Sequence, residues 1–370
     1  MAKHPVTRRR FITNLSALSA LAMTPSLSRA LDRPVTAKQL GVALVGLGNY
    51  SRGQLGPALR ETQYCRLTGV VTGDPAKGAK WAREYGFPGT SVYSYDTMAR
   101  LADNPAIDIV YVVTPNGLHA EHCIAAAKAG KHIICEKPMA NTVAECDAII
   151  AAGRAAGVRL SIGYRLFFDP YHQELMRLAR DQDFGPLLKM RGDFGFVMNG
   201  RQWRAEKKLS GGGPIMDLGV YLIQAGCMVA GGIAPTAVTG RFEPKSRPDF
   251  FVDVEERISW TMEFPGGATC QAVTSYAHNR NQFRAEGARG WIEFKKNAFM
   301  YHGLEVETSR GPLGYPKTNQ QALQMDGFAQ CVLTGRPTPV PGEMGRRDLT
   351  IIEAIYASAA AEGKRVEVKA

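Results

Sequence analysis

From residue 39 onward, short apolar runs alternate with segments whose apolar residues recur at helical spacing. The runs are GVALVGLG (41–48), CRLTGVVTGD (65–74), DIVYVVTP (108–115), KHIICEKP (131–138) and RLSIGYR (159–165). Between them, AKWAREYG, HAEHCIAAAKAG and TVAECDAIIAAGRAAG read as helices, the last two closed by Gly130 and Gly157. Strands that are apolar throughout and separated by helices imply a parallel sheet covered on both faces. After about residue 165 the texture changes. LLKMRGDFGF, TAVTGRFE, VEERISWTMEF, ATCQAVTSYA and QFRAEGARGWIEF alternate with period two, as antiparallel strands with one covered face do. A helical stretch, GGPIMDLGVYLIQAGCMVAG (212–231), interrupts them, and helices near 319–333 and 345–361 close the chain. The pattern predicts an α/β domain followed by an α+β domain with an open, mostly antiparallel sheet.

Charge refines this picture little. The 370 residues carry a formal +11, but residues 1–30 hold Lys3, Arg8, Arg9, Arg10 and Arg29 with no acid, leaving +6 on the rest. Those charges are dispersed and suit a solvated surface better than a nucleic-acid face. The first thirty residues resemble an address: twin arginines Arg8–Arg9, an uncharged apolar stretch at 15–23, and small residues Ser28 and Ala30 near a cleavage site. The expectation is folded export to the periplasm by the twin-arginine route, with a cofactor loaded beforehand. The apolar stretch is far shorter than the roughly 20 residues that span a bilayer, so no membrane anchor is expected. Seven cysteines are scattered without a CxxC pair, which argues against a disulfide framework, and no metal-ligand spacing is present.

Four constellations carry chemistry. GLGNYS (46–51) joins a strand to a helix start as a dinucleotide fingerprint requires: Gly46 for the turn, Gly48 for close approach of backbone to a pyrophosphate, and Leu47, Asn49 and Tyr50 beside it. Ser51 replaces the third glycine. At the end of the second strand, Thr72, Gly73 and Lys77 suit a 2′-phosphate, so NADP is expected over NAD; Asp74 is either a late ribose acid or a helix cap. TPNGLHAE (114–121) follows the third strand at the sheet's ligand edge, with Thr114, Pro115, Asn116 and His119 near the cofactor. EKP (136–138) follows the fourth, so Glu136 and Lys137 face the same crevice unless they form a surface ion pair. In GGGPIMDLGVY, Asp217 and Tyr221 stand four apart, on one face of a helix, and glycines 211–213 let that helix approach a neighbour closely. A carboxylate, a phenol and a lysine make an acid/base set, because a nearby cation favours the phenolate.

Together GLGNYS, TPNGLHAEHC, CEKPMA, IGYR, QWR and GGGPIMDLGVY resemble the glucose–fructose oxidoreductase / inositol dehydrogenase family, over residues 41–356. TGDPAK and Tyr221 are similar to its sugar-oxidising, NADP-using branch, which includes aldose–aldose oxidoreductases. The resemblance implies an export signal (1–30), a Rossmann NADP-binding domain (31–164), a substrate and oligomerisation domain (165–343), and a C-terminal helix packing back on the body (344–370). It implies that Lys137 binds near nicotinamide and sugar, Asp217 orients substrate and Tyr221 transfers the proton. It also places Tyr95, Arg165, Trp203 and Arg204 near cofactor or sugar, keeps NADP(H) tightly bound, and makes the protein a homodimer or homotetramer through its C-terminal sheet. The expected activity oxidises C1 of an aldose to an aldonolactone and returns hydride to a second sugar, giving an alditol. Two alternatives stay open: an exported NAD-using glycosidase of the same superfamily, and a non-catalytic NADP-binding sensor.

Overall fold

The computed structural model describes residues 38–369; the export signal expected at 1–30 lies outside them. Strands β1 (Leu40–Val45), β2 (Cys65–Val71), β3 (Val92–Tyr93), β4 (Ile109–Val112), β5 (His132–Cys135) and β6 (Leu160–Ile162) form one sheet in the order 3-2-1-4-5-6. Every pairing in it is parallel. All six residues of β1 are buried, as a strand covered on both faces must be. The chain crosses over between β1 and β2 through the short helix α1 (Gly56–Leu59). Later crossovers use α2 (Pro75–Tyr85), α3 (His119–Lys128) and α4 (Val143–Ala155). Local chemistry sets their ends: Asp74 caps α2 before Pro75, Gly86 ends it with φ +74°, and a Thr142/Glu145 capping box opens α4. Because β1 lies between β2 and β4, the crossovers diverge there and leave a crevice at the carboxyl ends of the strands. The two-residue β3 was not legible in the sequence, since period and length fail in so short a run.

The second half contributes helices α5 (Pro170–Arg180), α6 (Lys207–Ser210) and α7 (Val220–Val229). Its strands are β7 (Leu187–Gly195), β8 (Ala237–Phe242), β9 (Arg257–Glu263), β10 (Thr269–Ser275), β11 (Arg280–Gly287), β12 (Gly290–Lys296), β13 (Glu305–Thr308), β14 (Gly311–Leu313) and β15 (Val366–Glu367). They make a nine-stranded sheet ordered 14-13-12-11-7-10-9-8-15, antiparallel except for β7 beside β10. In β9 Ile258, Trp260 and Met262 are buried while the residues between them are not, the expected signature of one covered face. All ten residues of α7 are buried, so its apolar surface runs right round the helix.

Two closing helices tie the halves together. α8 (Gln320–Thr334) sends Ala322, Met325, Phe328 and Ala329 into the core beside β1 and β2. Its Asp326 carboxylate accepts from the N–H groups of Gln63 and Tyr64. α9 (Gly342–Ala360) packs against β8 on one side and α4 on the other. Beyond it the tail adds β15 to the edge of the large sheet, where the sequence pattern showed a helix alone.

Candidate active site

The glycine turn forms as its residues require. Gly46 has φ +98°, and its N–H donates to Val71 O. A Cβ on Gly48 would meet no heavy atom within 4 Å, so that backbone stands open to the crevice. Ser51 is buried, and its hydroxyl donates to Gly46 O at 2.6 Å, closing the turn by a side-chain bond where a glycine would give none. Leu47 is buried beneath the turn; Asn49 accepts from Arg52, and the Tyr50 phenol accepts from Gln321 of α8. The first turn of the following helix presents N–H groups without helical acceptors, the ordinary place for a pyrophosphate.

At the tip of β2, Thr72 Oγ1 accepts from Asp74 N at 3.2 Å, and Asp74 Oδ1 accepts from Lys77 N at 3.1 Å. Asp74 is therefore the helix cap, and the Lys77 side chain is left in solvent. Gly73 lies against the Tyr95 ring, which stacks on His122 at 4.9 Å. Thr72, Gly73, Lys77 and Tyr95 thus come together at one end of the crevice. With the open Gly48 backbone and the left-handed Gly46, they fit an NAD(P) nucleotide laid along the carboxyl edge.

The segment after β4 lines the cleft and is also tied into the fold. Asn116 Nδ2 donates to Ser210 O at 2.8 Å, docking Pro115–Leu118 onto α6, and no Cβ would fit on Gly117, 2.2 Å from Lys208 O. His119 is 1% exposed, with Nε2 2.8 Å from Thr114 O and Nδ1 3.0 Å from Pro138 O. Carbonyl oxygens only accept, so the ring satisfies both as an imidazolium. Burial opposes that charge, but Cys135 and the two carbonyls outweigh it and raise the pKa. His119 is a clamp between the loops after β4 and β5.

Glu136 and Lys137 point into the fold and away from each other. The Glu136 carboxylate is buried and accepts from Tyr111 Oη at 2.7 Å and from Lys137 N at 3.1 Å. Burial raises its pKa against those donors. The peptide bond between Lys137 and Pro138 is cis. Lys137 Nζ reaches the second half of the chain: it donates to Asp217 O at 2.8 Å, lies 3.7 Å from Asp217 Oδ1, and sits 4.5 Å from the centre of the Tyr221 ring.

The helix that carries Asp217 and Tyr221 is built to come close. Its first turn, Ile215–Gly219, is a π-turn leading into α7. A Cβ on Gly213 would stand 2.1 Å from Glu255 O, and the Glu255 carboxylate accepts from Gly213 N and Ile215 N at 2.9 and 3.2 Å. A carboxylate at a helix N-terminus satisfies its free N–H groups and complements its dipole. Asp217 Oδ2 accepts from Arg204 Nε at 2.8 Å and from Tyr276 Oη at 3.2 Å. Burial alone would raise the Asp217 pKa, but Arg204, Lys137 and Tyr276 outweigh it and the pKa is lowered. The Arg204 guanidinium lies 4.5 Å from the Trp203 ring at the rim. Arg165 is 2% exposed, and its Nη2 stands 3.3 Å from the Tyr221 hydroxyl.

These groups line one cleft of about 440 Å³ that also includes Asn49, Tyr50, Thr114, Asn116 and His119. Thr72, Gly73, Lys77 and Tyr95 lie outside that lining, farther along the edge. Sequence reasoning missed Tyr276, Glu255, Gln320 and the loop bearing Phe299, Met300 and Tyr301, all of which shape the site. No spacing marks them, because they arrive from α8 and from loops between separate strands; the one available signal was the aromatic NAFMY between two strands. Among the described residues, no cluster of three or more His, Cys, Asp or Glu is arranged to hold a metal.

Comparison with known proteins adds to this geometry. Residues 40–164 match the oxidoreductase family with the NAD-binding Rossmann fold, and residues 172–293 match the GFO/IDH/MocA C-terminal domain. The crystal structure of aldose-aldose oxidoreductase from Caulobacter crescentus, complexed with glycerol, is 40% identical with a TM-score of 0.85, covering 89% of this chain and 100% of that one. The D-xylose 1-dehydrogenase (NADP(+)) of Haloarcula marismortui is 27% identical over 345 residues, 90% of this chain and 93% of its own. Levoglucosan dehydrogenase, solved with NADH and levoglucosan, is 24% identical with a TM-score of 0.77 and shares the fold over 90% of this chain and 100% of its own.

Proposed function

This chain belongs to the GFO/IDH/MocA oxidoreductase family, and from that premise we propose that it is an NADP(H)-dependent sugar oxidoreductase coupling oxidation of one sugar to reduction of another. The observation that carries the proposal is the meeting of Lys137, Asp217 and Tyr221 in one cleft beside the glycine turn. When bound, the nicotinamide supplies the hydride acceptor for C1 of a cyclic aldose and, reduced, the donor for a second sugar. Tyr221 takes the C1 hydroxyl proton as the aldonolactone forms, and later returns a proton to the carbonyl oxygen that becomes the alditol hydroxyl. Lys137 holds the reacting hydroxyl. Asp217 sets the position of Lys137 from one side and of Arg204 from the other. Trp203 offers an aromatic face at the rim to a sugar ring.

The choice of NADP is supported by the tip of β2, where Asp74 is occupied as a cap and the Thr72 hydroxyl, the exposed Gly73 backbone and Lys77 would be available to a 2′-phosphate. Retention of the cofactor through both half-reactions fits the twin-arginine pattern at Arg8–Arg9, since folded export carries a loaded nucleotide to a periplasm that lacks a free supply. We place association into a dimer or tetramer on the outer face of the nine-stranded sheet. The test is purification without added cofactor, native mass spectrometry for bound NADP, and a screen of sugar pairs for lactone and alditol. Protein free of nucleotide and yielding no lactone from any pair would overturn the proposal.

A further inference from the structure

Behind Tyr221, away from Lys137, runs a buried chain of hydrogen bonds. Arg165 Nη2 lies 3.3 Å from the Tyr221 hydroxyl and donates to Phe299 O at 2.5 Å. Arg165 Nη1 donates to Met300 O and to Gln320 Oε1. Gln320 Nε2 donates to Asp169 Oδ2 at 2.8 Å, and Asp169 Oδ1 faces His172 Nδ1 at 2.9 Å. Arg165, Gln320, Asp169 and His172 are each 3% exposed or less. Arg165 Nε is buried and without a partner.

A guanidinium removed from water needs compensation. Among the described residues no carboxylate pairs with it; the Asp169 carboxylate is held one amide away by Gln320. Its other acceptors are two main-chain oxygens. Among its hydrogen-bond partners the Tyr221 oxygen alone can take up a negative charge; the guanidinium also lies 4.4 Å from the centre of the Tyr301 ring but makes no hydrogen bond to that phenol. The groups around that oxygen are few. Lys137 sits over the ring with its charge offset by Asp217, Arg165 meets the hydroxyl, the phenols of Tyr50 and Tyr301 stand nearby, and Phe194 and Phe299 close the rest with apolar rings.

We propose that Arg165 is the counter-cation for the charge Tyr221 bears between proton transfers, and that Gln320, Asp169 and His172 are positioning residues that aim the guanidinium at the phenol oxygen. This rests on the reading of Tyr221 as the proton-transfer group. The substrate O–H breaks, the phenol O–H forms, and Arg165 itself exchanges no proton, because guanidinium stays charged throughout. Inserting Gln320 between Asp169 and Arg165 keeps the cation oriented without letting a carboxylate cancel it.

The test compares kcat for sugar oxidation across pH in wild type, Gln320→Met and Gln320→Glu, with retained nucleotide measured by native mass spectrometry. Oxidation needs the phenolate, so weakening the cation moves the acidic limb of kcat upward. Gln320→Met is expected to move it by about one pH unit, roughly a tenfold loss on the limb, with sugar KM and bound nucleotide unchanged. Gln320→Glu sets a carboxylate directly on the guanidinium and moves the limb at least as far; it keeps the side-chain volume and decides the matter if the methionine variant does not fold. A kcat that falls equally at every pH, or a limb that does not move, overturns the relay. Tyr221→Phe separates the two levels: an active variant removes both the reading of Tyr221 and this inference, whereas an inactive one beside unmoved Gln320 limbs removes the relay alone.

Discussion

Lys137 Nζ donates to the main-chain oxygen of Asp217 at 2.8 Å and stands 3.7 Å from its carboxylate, so the end of β5 is fastened to the helix start of the second sheet's domain. That one side chain joins the nucleotide edge to the acid/base helix. Lys137→Met removes the join and the cation together. It is expected to lower kcat roughly 10²–10⁴-fold while leaving bound nucleotide in place, measured by sugar turnover and native mass spectrometry. Turnover within a few-fold of wild type would exclude Lys137 from the chemistry.

The same contact has a pH signature. The Asp217 pKa is lowered because Arg204, Lys137 and Tyr276 outweigh its burial. A carboxyl depressed in the folded state stabilises above its unfolded value, about 3.9, and loses that contribution as pH falls through the folded value. Asp217→Asn should therefore lower Tm at neutral pH, by the equivalent of about 3 kcal/mol for a broken buried pair. The gap from wild type should narrow once pH drops below about 4. A gap that stays constant into acid would contradict the assignment.

Gly213 lies where the acid/base helix touches Glu255, with 2.1 Å between a Cβ and Glu255 O. Gly213→Ala must push the helix start or Glu255 aside, at a cost of about 3 kcal/mol. Thermal unfolding should show the loss, and the surviving folded protein should have lower kcat because Asp217 and Tyr221 move with the helix. Ser51→Ala, which deletes only the bond to Gly46 O, should cost about 1 kcal/mol and speed nucleotide loss on dialysis.

The polarity of the β2 tip predicts cofactor choice. Lys77→Glu should weaken NADP binding roughly tenfold, the equivalent of about 1.4 kcal/mol for one charge-assisted phosphate contact, and leave NAD binding nearly unchanged. Titration of nucleotide-free protein with each cofactor reads this directly. Equal weakening of both would remove Lys77 from the 2′ position.

The first sheet was legible because its strands are apolar throughout and punctuated by glycine, a pattern that burial on both faces imposes. The glycine turn at Gly46 was legible for the same local reason, and so was the close approach at Gly213 on the acid/base helix. Ser51 read as a weakened third glycine, yet its hydroxyl closes the turn, a bond that composition could not reveal. The position of Glu136 and Lys137 at a strand end indicated that both face the crevice, and both line it, but only the fold shows that one goes to Tyr111 and the other to Asp217. Tyr276, Gln320 and the loop at Phe299–Tyr301 reach the cleft from distant strands and α8, and only tertiary packing brings them there. β3, β13, β14 and β15 are too short for period two to register.

Most decisive is a single-turnover measurement on protein purified without added cofactor, following the absorbance of reduced nicotinamide as an aldose and then a second sugar are added. The proposed function predicts one equivalent of reduced cofactor on the first addition and its disappearance on the second, with both phases lost in Tyr221→Phe while NADP stays bound. No absorbance change in nucleotide-loaded wild type, or an unaltered signal in Tyr221→Phe, would contradict it.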